Sequence, residues 1–368
     1  MRVLWLIKGL GAGGAERLLV LSARLRDRGA VDPQVVYLLA HKRALLAELD
    51  EVGVRATCLG ARASWDLRWL FGLRRMCRSR RFDVVHSHSP LTTIGARLVL
   101  RTLLRRNRPI LVTTEHNVWG SHARVTRLAD AATARGDETH VAVSEAVRAS
   151  MPDRLRSKTR VIQYGVDVGG IRSAGNDRET ARRSLGVGPD EVLIGTVANL
   201  RATKGYPDLL TAARIVVDRV DDARFVALGQ GPMQRELRMQ ADALELGDRF
   251  RFLGYRPDAA HVMSAFDIFC LASHHEGLPI ALMEALVLGL PVVATDVGGI
   301  AELVTDGRDA VLVPAGETRR LADALTALAR DPARRAEMSC RARDRGDSLD
   351  AVPAIRDVEA LYRLVLAQ

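Results

Sequence analysis

Short apolar runs alternate with longer stretches of helical periodicity along most of the chain. In the first half, five runs have the length typical of buried strands: Arg2–Lys8, Gln34–Leu39, Asp83–His86, Ile110–Thr114 and His140–Val143. Helical patterns such as Ala15–Arg28 and Leu91–Arg106 follow them, with apolar residues every three or four positions. Alternation of strands and helices predicts a parallel sheet covered by helices.

The same alternation begins again after residue 180. Six runs are predicted strands there: Val192–Val197, Arg224–Leu228, Phe250–Leu253, Ile268–Leu271, Val292–Thr295 and Ala310–Val313. Between the halves lies Gly165–Thr180, "GVDVGGIRSAGNDRET", which is rich in Gly, Ser and Asp and is predicted to be a linker. The sequence therefore predicts two doubly wound domains, in which ligands bind beyond the carboxyl ends of the strands.

The positive charge of the chain lies in its first half. Residues 1–170 contain 29 Lys and Arg against 15 Asp and Glu, whereas residues 171–368 contain 25 against 29. We therefore expect the first half to meet an anionic partner, which could be nucleic acid, a membrane surface or a phosphorylated substrate. The aromatic content of 4% and the lack of a known binding signature count against nucleic acid.

Cysteine spacing and hydropathy indicate a cytoplasmic protein. No two of Cys58, Cys77, Cys270 and Cys340 are spaced as C-x-x-C, which argues against a zinc site and a disulfide framework. Val3–Ile7 is too short for a signal peptide, and no apolar run reaches the roughly 20 residues that span a bilayer.

Two clusters of arginine could contact an anionic surface. If residues 97–108 form one helix, four arginines fall within roughly an 80° arc, opposite a row of Val and Leu: Arg97, Arg101, Arg105 and Arg108. Arg74–Arg81, "RRMCRSRR", forms the second cluster. One interpretation is a stripe that binds anionic lipid or a lipid-linked phosphate, and the other is a solvated helix face.

The loop after the first predicted strand, "GLGAGG", has the spacing Gly9-x-Gly11-x-x-Gly14 of a dinucleotide fingerprint. The second strand ends "YLLAHKR", without the acid that holds the ribose of NAD, although basic residues could suit NADP. Alternatively, Gly13 and Gly14 open a helix whose N–H groups bind another phosphate, or they only form a tight turn.

Two carboxylates lie eight positions apart in "HHEGLPIALMEALVLGLP". Glu276 follows a predicted strand in a glycine-containing loop, and Glu284 lies in a helix that starts near Pro279. Carboxylates accept hydrogen bonds from vicinal hydroxyls, so the pair could bind two sugar rings. A solvated helix face explains Glu284 poorly, because its neighbours are Leu282, Met283, Ala285 and Leu286.

This segment closely resembles the E-x7-E block of retaining GT-B glycosyltransferases, the family 4-like, group 1 enzymes. Further segments resemble that family in the same order: "GGAER" (13–17), "TEHN" (114–117), "QYGVD" (163–167, with Tyr164 in place of the usual Asn), "VANLRATKG" (197–205) and "LGQGP" (228–232). The resemblance implies an α/β GT-B fold of two Rossmann-like doubly wound domains facing each other across a cleft. Residues 1–168 would bind the acceptor and residues 169–351 the donor, while a helix at 352–368 would pack back on the first domain.

The resemblance also implies a role for each matching residue. Glu284 would bind the nucleotide ribose, and Glu276 the transferred sugar. Arg201 and Lys204 would neutralise the diphosphate leaving group. The remaining donor-side residues would be Gly13, Gly14, Gly254, Tyr255, Gly277, Leu278, Pro279 and Ile280. His116 would contribute from the first domain, unless it is a structural residue, and the acceptor side would include His86, His88 and Asn117.

The function implied is that of a hexosyltransferase-type enzyme (class EC 2.4). It would move a sugar, with retention, from a UDP-sugar to a glycan or lipid-linked acceptor at the inner face of the cytoplasmic membrane. The sequence has no Asp-x-Asp motif, so we expect no metal. Since no carboxylate nucleophile is recognisable, reaction on one face of the sugar is the hypothesis. The alternatives are a nucleotide-sugar epimerase, an NADP oxidoreductase and a non-catalytic nucleotide-sugar-binding protein.

Overall fold

The computed structural model describes residues 1–63, 66–134 and 139–367. The chain folds into two compact units. Unit 1 consists of residues 1–164 and 351–368, and unit 2 consists of residues 165–350. The chain thus passes from unit 1 to unit 2 after residue 164, four residues before the boundary expected from the sequence. Gln368, the last residue of the expected terminal helix, lies outside the described residues.

Unit 1 is built on a seven-stranded parallel sheet. Its strands are β1 (Arg2–Ile7), β2 (Asp32–Leu39), β3 (Ala56–Ala61), β4 (Val84–Ser87), β5 (Ile110–Glu115), β6 (Thr139–Ala142) and β7 (Thr159–Val161). The strand order is β3-β2-β1-β4-β5-β6-β7, so the order reverses between β1 and β4. Such a reversal opens a crevice at the carboxyl ends of the two strands, where ligands bind in doubly wound sheets.

Helices cover both faces of this sheet. They are α1 (Gly14–Leu25), α2 (Leu46–Glu51), α3 (Trp69–Ser79), α4 (Pro90–Arg101), α5 (Arg124–Thr133), α6 (Glu145–Ser150) and α7 (Asp153–Arg156). Short 3-10 turns span Arg105–Asn107 and Trp119–Ser121. On one face, buried apolar side chains of α3 and α4 pack against β1, β2 and β4 around Trp69 and Leu73.

Unit 2 has a six-stranded parallel sheet in the order β10-β9-β8-β11-β12-β13. Its strands are β8 (Val192–Val197), β9 (Ala223–Leu228), β10 (Phe250–Gly254), β11 (Ile268–Leu271), β12 (Val292–Thr295) and β13 (Ala310–Val313). Its helices are α8 (Val168–Ala174), α9 (Arg178–Ser184), α10 (Tyr206–Arg219), α11 (Gln234–Ala243), α12 (Ala259–Met263), α13 (Ile280–Val287), α14 (Ile300–Leu303), α15 (Thr318–Arg330) and α16 (Pro332–Asp347). The 3-10 turns are Ala202–Lys204 and Gly247–Arg249.

The last helix, α17 (Ala351–Leu366), belongs to unit 1, where it packs against α1. Its inner face carries a row of buried residues spaced by three and four positions, which is the pattern of an amphipathic helix on a core: Ile355, Val358, Glu359 and Tyr362. The chain therefore leaves unit 1 once and returns to it once.

The structure confirms all eleven predicted strands to within two residues at each end. It adds β3 and β7, which are the two edge strands of the unit 1 sheet. The prediction of a linker over Gly165–Thr180 is wrong, because α8 and the start of α9 lie within it. Asp167 and Asp177 cap these helices by accepting backbone N–H groups with their side chains, as is typical of helix N-caps.

The basic stripe predicted along residues 97–108 is also wrong. Its four arginines do not share one helical face: Arg97, Arg101, Arg105 and Arg108. α4 ends at Arg101, and Arg105 lies in the 3-10 turn that follows. Arg97 is buried because α4 packs against α5, and its guanidinium donates to Asp130 Oδ1 at 2.5 Å. Arg97 therefore serves the packing of two helices and is not available to a membrane.

None of the helices in the described part of the chain is long and apolar enough to cross a bilayer.

Candidate functional site

Two loops meet at the carboxyl edge of the unit 2 sheet. The turn Ala202–Lys204 follows β8, and the loop 272–279 follows the neighbouring strand β11. The carbonyl oxygen of Thr203 accepts hydrogen bonds from the N–H groups of His274 and His275, at 2.9 and 3.3 Å. These backbone contacts hold the turn against the loop and so fix where the side chain of Lys204 begins.

Lys204 and Glu276 form an ion pair across this junction. Lys204 Nζ lies 2.6 Å from Glu276 Oε1, and Ser273 Oγ donates to the same oxygen at 2.6 Å. Glu276 is only 5% exposed, and a buried carboxylate needs such partners. Thus the structure brings together two of the residues that the sequence singled out. Sequence reasoning missed Ser273, which has no signal beyond its place three residues before Glu276.

Glycines let the loops of this edge approach closely. Gly205 has φ +61°, and a Cβ there would lie 1.8 Å from the carbonyl oxygen of Ala272. Gly298 has φ +57°, and its Cβ would lie 1.9 Å from the carbonyl oxygen of Glu276. The N–H of Gly299 donates to Gly277 at 3.0 Å. The backbone around Glu276 is therefore fixed from both sides by positions that accept only glycine.

We expect Gly205→Ala to destabilise unit 2, because the new methyl group would displace the loop that carries Glu276. Gly186→Ala is the matched control, since Gly186 has φ +63° and open space around the added Cβ. That control should cost only the backbone strain of about 1 kcal/mol. Thermal unfolding of both variants measures the difference. Equal losses of stability in the two variants would contradict the close contact at Gly205.

Arg201, Glu284 and the segment before α13 are further positions that the sequence analysis expected on the donor side. Arg201 is exposed and makes no ion pair with any described residue, so its guanidinium is available to a ligand. Glu284 lies on α13 and is half-buried. The segment before α13 is buried and leads into the first N–H groups of that helix, which begins at Ile280: Gly277, Leu278 and Pro279.

The positions expected to contact the nucleotide base lie at the end of β10. Gly254 has φ +73°, and its carbonyl oxygen accepts the N–H of Gly229 at 2.8 Å. Tyr255 follows it and is half-buried. Because β9 lies between β8 and β10, Gly254 and Tyr255 stand two strands from the Lys204 turn.

The opening glycine loop of unit 1 joins β1 to α1. Leu10 donates to Lys42 at 2.8 Å and accepts the N–H of Leu45 at 3.1 Å, so the loop is anchored on residues 42–45. Gly13 is the N-cap of α1, which begins at Gly14. A Cβ added at Gly13 would lie 2.3 Å from Glu16 Oε2, so a carboxylate lies against the position where an anion would meet the helix.

A cluster of three histidines lies at the carboxyl ends of β4 and β5 in unit 1. The rings of His86 and His88 are 4.2 Å apart between centroids, and His88 Nδ1 lies 3.3 Å from His116 Nε2. Tyr164 stands beside them, with its ring 6.3 Å from that of His116. With apolar side chains of α1 and α17, these rings line a pocket within unit 1.

The three histidines are uncharged at neutral pH. Burial lowers the pKa of His86 to about 3 and that of His116 to about 4, and it holds the pKa of His88 well below the ordinary value. Burial also raises the pKa of Tyr164 to about 12, although a hydrogen bond with the Thr114 side chain acts in the opposite direction. The cluster thus offers neutral hydrogen-bonding groups and no charge.

Asn117 lies outside this cluster at the end of the same segment. Its side chain is exposed, and its N–H donates to Glu115 Oε1 at 3.2 Å. Glu115 also accepts from His122 Nε2 at 3.0 Å. Within the residues that the structure describes, no three His, Cys, Asp or Glu side chains group as they would around a metal ion.

Comparison with known sequences gives the family of the chain. The family model for glycosyl transferases group 1 matches residues 177–345, and the model for glycosyltransferase family 4 matches residues 12–169. Together the two models cover most of both units. The chain belongs to the family 4-like, group 1 glycosyltransferases.

Individual relatives match over different lengths. D-inositol 3-phosphate glycosyltransferase of Kribbella flavida is 29% identical over 373 residues, which covers 89% of this chain and 85% of that protein. N-acetyl-alpha-D-glucosaminyl L-malate synthase of Bacillus anthracis is 29% identical over 168 residues, or 46% of this chain. In that case the chain spans only 44% of the relative's length.

The fold matches that of solved GT-B glycosyltransferases. Anabaena HepE, whose crystal structure contains UDP and glucose, superimposes with a TM-score of 0.86 over 99% of each chain, at 22% sequence identity. The two Rossmann-like units therefore have the GT-B fold predicted from the sequence. The family and the fold together argue against the hypothesis of an NADP oxidoreductase, which the glycine spacing of the opening loop had suggested.

Proposed function

We propose that this protein is a retaining glycosyltransferase that uses a nucleoside diphosphate sugar, with UDP as the nucleotide. Unit 2 binds the donor, and unit 1 binds a glycan or lipid-linked acceptor. The Lys204–Glu276 pair carries the proposal, because it places a cation and a buried carboxylate 2.6 Å apart at the ligand-binding edge of a doubly wound sheet. A sugar diphosphate needs both groups, since its phosphates are anionic and its sugar presents hydroxyl donors.

The leaving group sets the main demand on unit 2. When the bond between the anomeric carbon and the phosphate oxygen breaks, negative charge develops on the diphosphate. Lys204 supplies a point charge, and Arg201 supplies a planar fork that can bind two phosphate oxygens. Glu276 accepts hydrogen bonds from sugar hydroxyls, and Glu284 accepts them from the ribose. N–H groups at the start of α13 add the positive end of a helix dipole.

The acceptor oxygen forms the new bond to the anomeric carbon, and its proton passes to an oxygen of the departing phosphate. Both events take place on one face of the sugar, which retains the configuration. His116 is proposed to orient hydroxyl groups from the unit 1 side, together with His86, His88 and Asn117. A neutral imidazole suits that role, because the lowered pKa of His116, about 4, keeps it uncharged at pH 7.

We propose that the reaction needs no divalent metal, since Arg201 and Lys204 take over the neutralising role. The expected observation is unchanged turnover in the presence of EDTA. Restoration of lost activity by Mg²⁺ would contradict this part of the proposal.

Thermal shifts with UDP, GDP, ADP and NADP test the donor site directly. A nucleotide at 100 times its dissociation constant stabilises a protein by about 2.7 kcal/mol. We expect UDP to raise the unfolding temperature of the wild type and to do so less in Glu284→Ala. Stabilisation by NADP alone would contradict the proposal, and turnover of a nucleotide sugar without any acceptor would indicate an epimerase.

The lipid-linked acceptor implies contact with a membrane, and three helices of unit 1 offer a suitable face. α4 lies between α3 and α5, linked to α3 by Arg74 Nε and Thr102 Oγ1 at 2.9 Å and to α5 by the buried Arg97–Asp130 pair. Large apolar side chains stand in solvent on these helices: Phe71 (77% exposed), Leu98 (45%), Val125 (78%) and Leu128 (71%).

The charge of this face favours an anionic membrane. α3 and α4 contain no acidic residue, and Asp130, the one acid of α5, is buried. Exposed arginines lie on α3, on α5 and in the 3-10 turn that follows α4: Arg75, Arg78, Arg124, Arg105 and Arg106. Apolar groups that insert beside cations are typical of interfacial membrane binding. Exposed Val and Leu would gain nothing from contact with a nucleic acid, so they favour a membrane as the partner.

We expect Phe71→Ser combined with Leu128→Ser to weaken binding to vesicles that contain phosphatidylglycerol. Arg75→Glu combined with Arg78→Glu should weaken it further, since each basic residue contributes about 1 kcal/mol at such a surface. Flotation with the vesicles measures both effects. Met239→Ser, which removes an exposed apolar side chain of unit 2, is the control. Unchanged flotation of the unit 1 variants, or preferential binding to RNA, would refute this surface.

A further inference from the structure

A row of buried hydrogen bonds connects the C-terminal helix α17 with the histidine cluster of unit 1. Trp5 Nε1 donates to Tyr362 Oη at 3.1 Å. Tyr362 Oη lies 2.5 Å from His86 Nδ1, and His86 Nε2 lies 2.7 Å from Thr114 Oγ1. Trp5, Tyr362, His86 and Thr114 are all nearly inaccessible to solvent. The row thus starts on β1, passes through α17 and β4, and reaches β5.

The donors in this row determine where each proton lies. An indole N–H can only donate, so the Tyr362 oxygen accepts from Trp5. Because Tyr362 is buried and its hydroxyl has no acceptor other than His86 Nδ1 among the described residues, its proton lies toward that nitrogen. A neutral imidazole with an accepting Nδ1 carries its proton on Nε2, which donates to the Thr114 oxygen. The row therefore holds His86 in one tautomer and leaves the Thr114 hydroxyl proton free to donate further.

The end of the row lies beside His116. The Thr114 side chain hydrogen-bonds Tyr164, whose ring is the neighbour of the His116 ring. The His86 ring also lies against the His88 ring, tilted by 32°, and His88 in turn contacts His116. Fixing His86 therefore fixes the two groups that flank His116, Tyr164 on one side and His88 on the other.

We propose that Tyr362 is a positioning residue: it sets the Nε2–H tautomer of His86 and thereby the orientation of Thr114, Tyr164 and the His116 ring. This inference rests on the proposed function in one respect, namely that His116 acts in sugar transfer. The hydrogen-bond row itself does not depend on any activity. Tyr362 does not touch the acceptor or the donor in this role, and it acts only through His86.

The tautomer can be read directly from the imidazole nitrogen signals of protein labelled with ¹⁵N-histidine. We expect His86, assigned with a His86→Gln variant, to show one Nε2–H tautomer in the wild type. In Tyr362→Phe the Nδ1 acceptor loses its donor, so the two tautomers should mix and the His116 ring signals should shift. Trp5→Phe should act in the same direction, because it removes the donor that orients the Tyr362 hydroxyl.

A matched control separates this effect from a general loss of stability. Tyr206 is an equally buried tyrosine in unit 2, and its hydroxyl donates to the Ala198 carbonyl oxygen at 2.8 Å. Tyr206→Phe removes the one buried hydrogen bond of its hydroxyl, whereas Tyr362→Phe removes two, and Tyr206→Phe should leave the His86 and His116 signals unchanged. Both variants should lower the unfolding temperature, Tyr362→Phe by the larger amount.

Kinetics supply the functional half of the test. We expect Tyr362→Phe to lower kcat for sugar transfer on the order of tenfold, as small misplacements of catalytic groups do, while the Kd for UDP on unit 2 stays unchanged. A parallel loss of UDP affinity would assign Tyr362 a merely structural role and overturn the proposal.

Three further results would overturn the inference: an Nδ1–H tautomer in the wild type, an unchanged tautomer in Tyr362→Phe, or a changed tautomer with unchanged His116 signals and kcat. If Tyr362→Phe does not fold, the His86 tautomer in the wild type and in Trp5→Phe tests the inference instead. Failure of the proposed function is distinguishable, because it would appear as absent UDP binding while the tautomer readout remained as expected.

Discussion

Lys204→Ala is expected to lower kcat by about 100- to 1000-fold, the range found when one preorganised group is removed from a developing negative charge. The ammonium group lies 2.6 Å from Glu276 Oε1 and within the turn that follows β8. Its loss removes the point charge that would stabilise the departing diphosphate. It also leaves the buried carboxylate of Glu276 with Ser273 as its one remaining side-chain partner among the described residues, which adds a stability penalty.

Steady-state kinetics and thermal unfolding together measure this effect. Lys204→Arg should recover part of kcat, because it keeps the charge but changes the geometry. Lys158→Ala, at an exposed lysine of unit 1, is the matched control and should behave as the wild type. A Lys204→Ala enzyme with wild-type kcat and altered stability alone would show that the ion pair is structural.

Glu276→Gln should reduce turnover by about 100-fold while leaving the affinity for UDP nearly unchanged. The amide has the shape of the carboxylate, so Ser273 can still donate to its oxygen, but the charge that attracts sugar hydroxyls is lost. The nucleotide part contacts other residues in the proposed complex. We therefore expect Glu276→Gln to lose more affinity for the sugar nucleotide than for UDP when each is compared with the wild type.

Calorimetric titration with UDP and with the sugar nucleotide separates these two affinities. Glu236→Gln, at an exposed carboxylate of α11, controls for loss of negative charge on unit 2. If Glu276→Gln lowered the affinity for UDP as much as the affinity for the sugar nucleotide, Glu276 would contact the nucleotide. The assigned roles of Glu276 and Glu284 would then have to change.

The central strands were predictable because each is buried on both faces and therefore reads as an apolar run. The two strands that the sequence analysis missed are the edges of the unit 1 sheet. β3, "ATCLGA", is mostly half-exposed, and β7 has only three residues, so neither shows a continuous apolar pattern. Edge strands of this kind are recognised by the strand with which they pair, and the periodicity of the sequence gives no information about that pairing.

Arg97 shows why a helical wheel failed on the basic segment. The wheel assumes one helix over residues 97–108, but α4 ends at Arg101 and the backbone has an extended conformation at Leu104. The wheel also treats arginine as an outward residue, whereas Arg97 faces α5 and its buried Asp130. Only the packing of α4 on α5 reveals that partner, 33 positions along the chain.

The Lys204–Glu276 pair was more accessible to sequence reasoning than the histidine cluster. Glu276 and Lys204 each lie in a loop directly after a strand, so a doubly wound sheet brings both to one edge. Tyr362 reaches His86 from 276 positions away, through a helix that returns from the end of unit 2. No spacing rule connects these two residues, and the hydrogen-bond row is visible only in three dimensions.

The most direct test of the central claim is ¹H NMR of the reaction product. The donor would be the α-linked sugar nucleotide whose nucleotide gives the largest thermal shift, and the acceptors a set of alkyl glycosides with lipid-like tails. We expect release of the nucleoside diphosphate and an α-linked product, formed by the wild type and nearly absent with Lys204→Ala. A β-linked product would contradict retention, and an epimerised donor formed without acceptor would contradict glycosyl transfer itself.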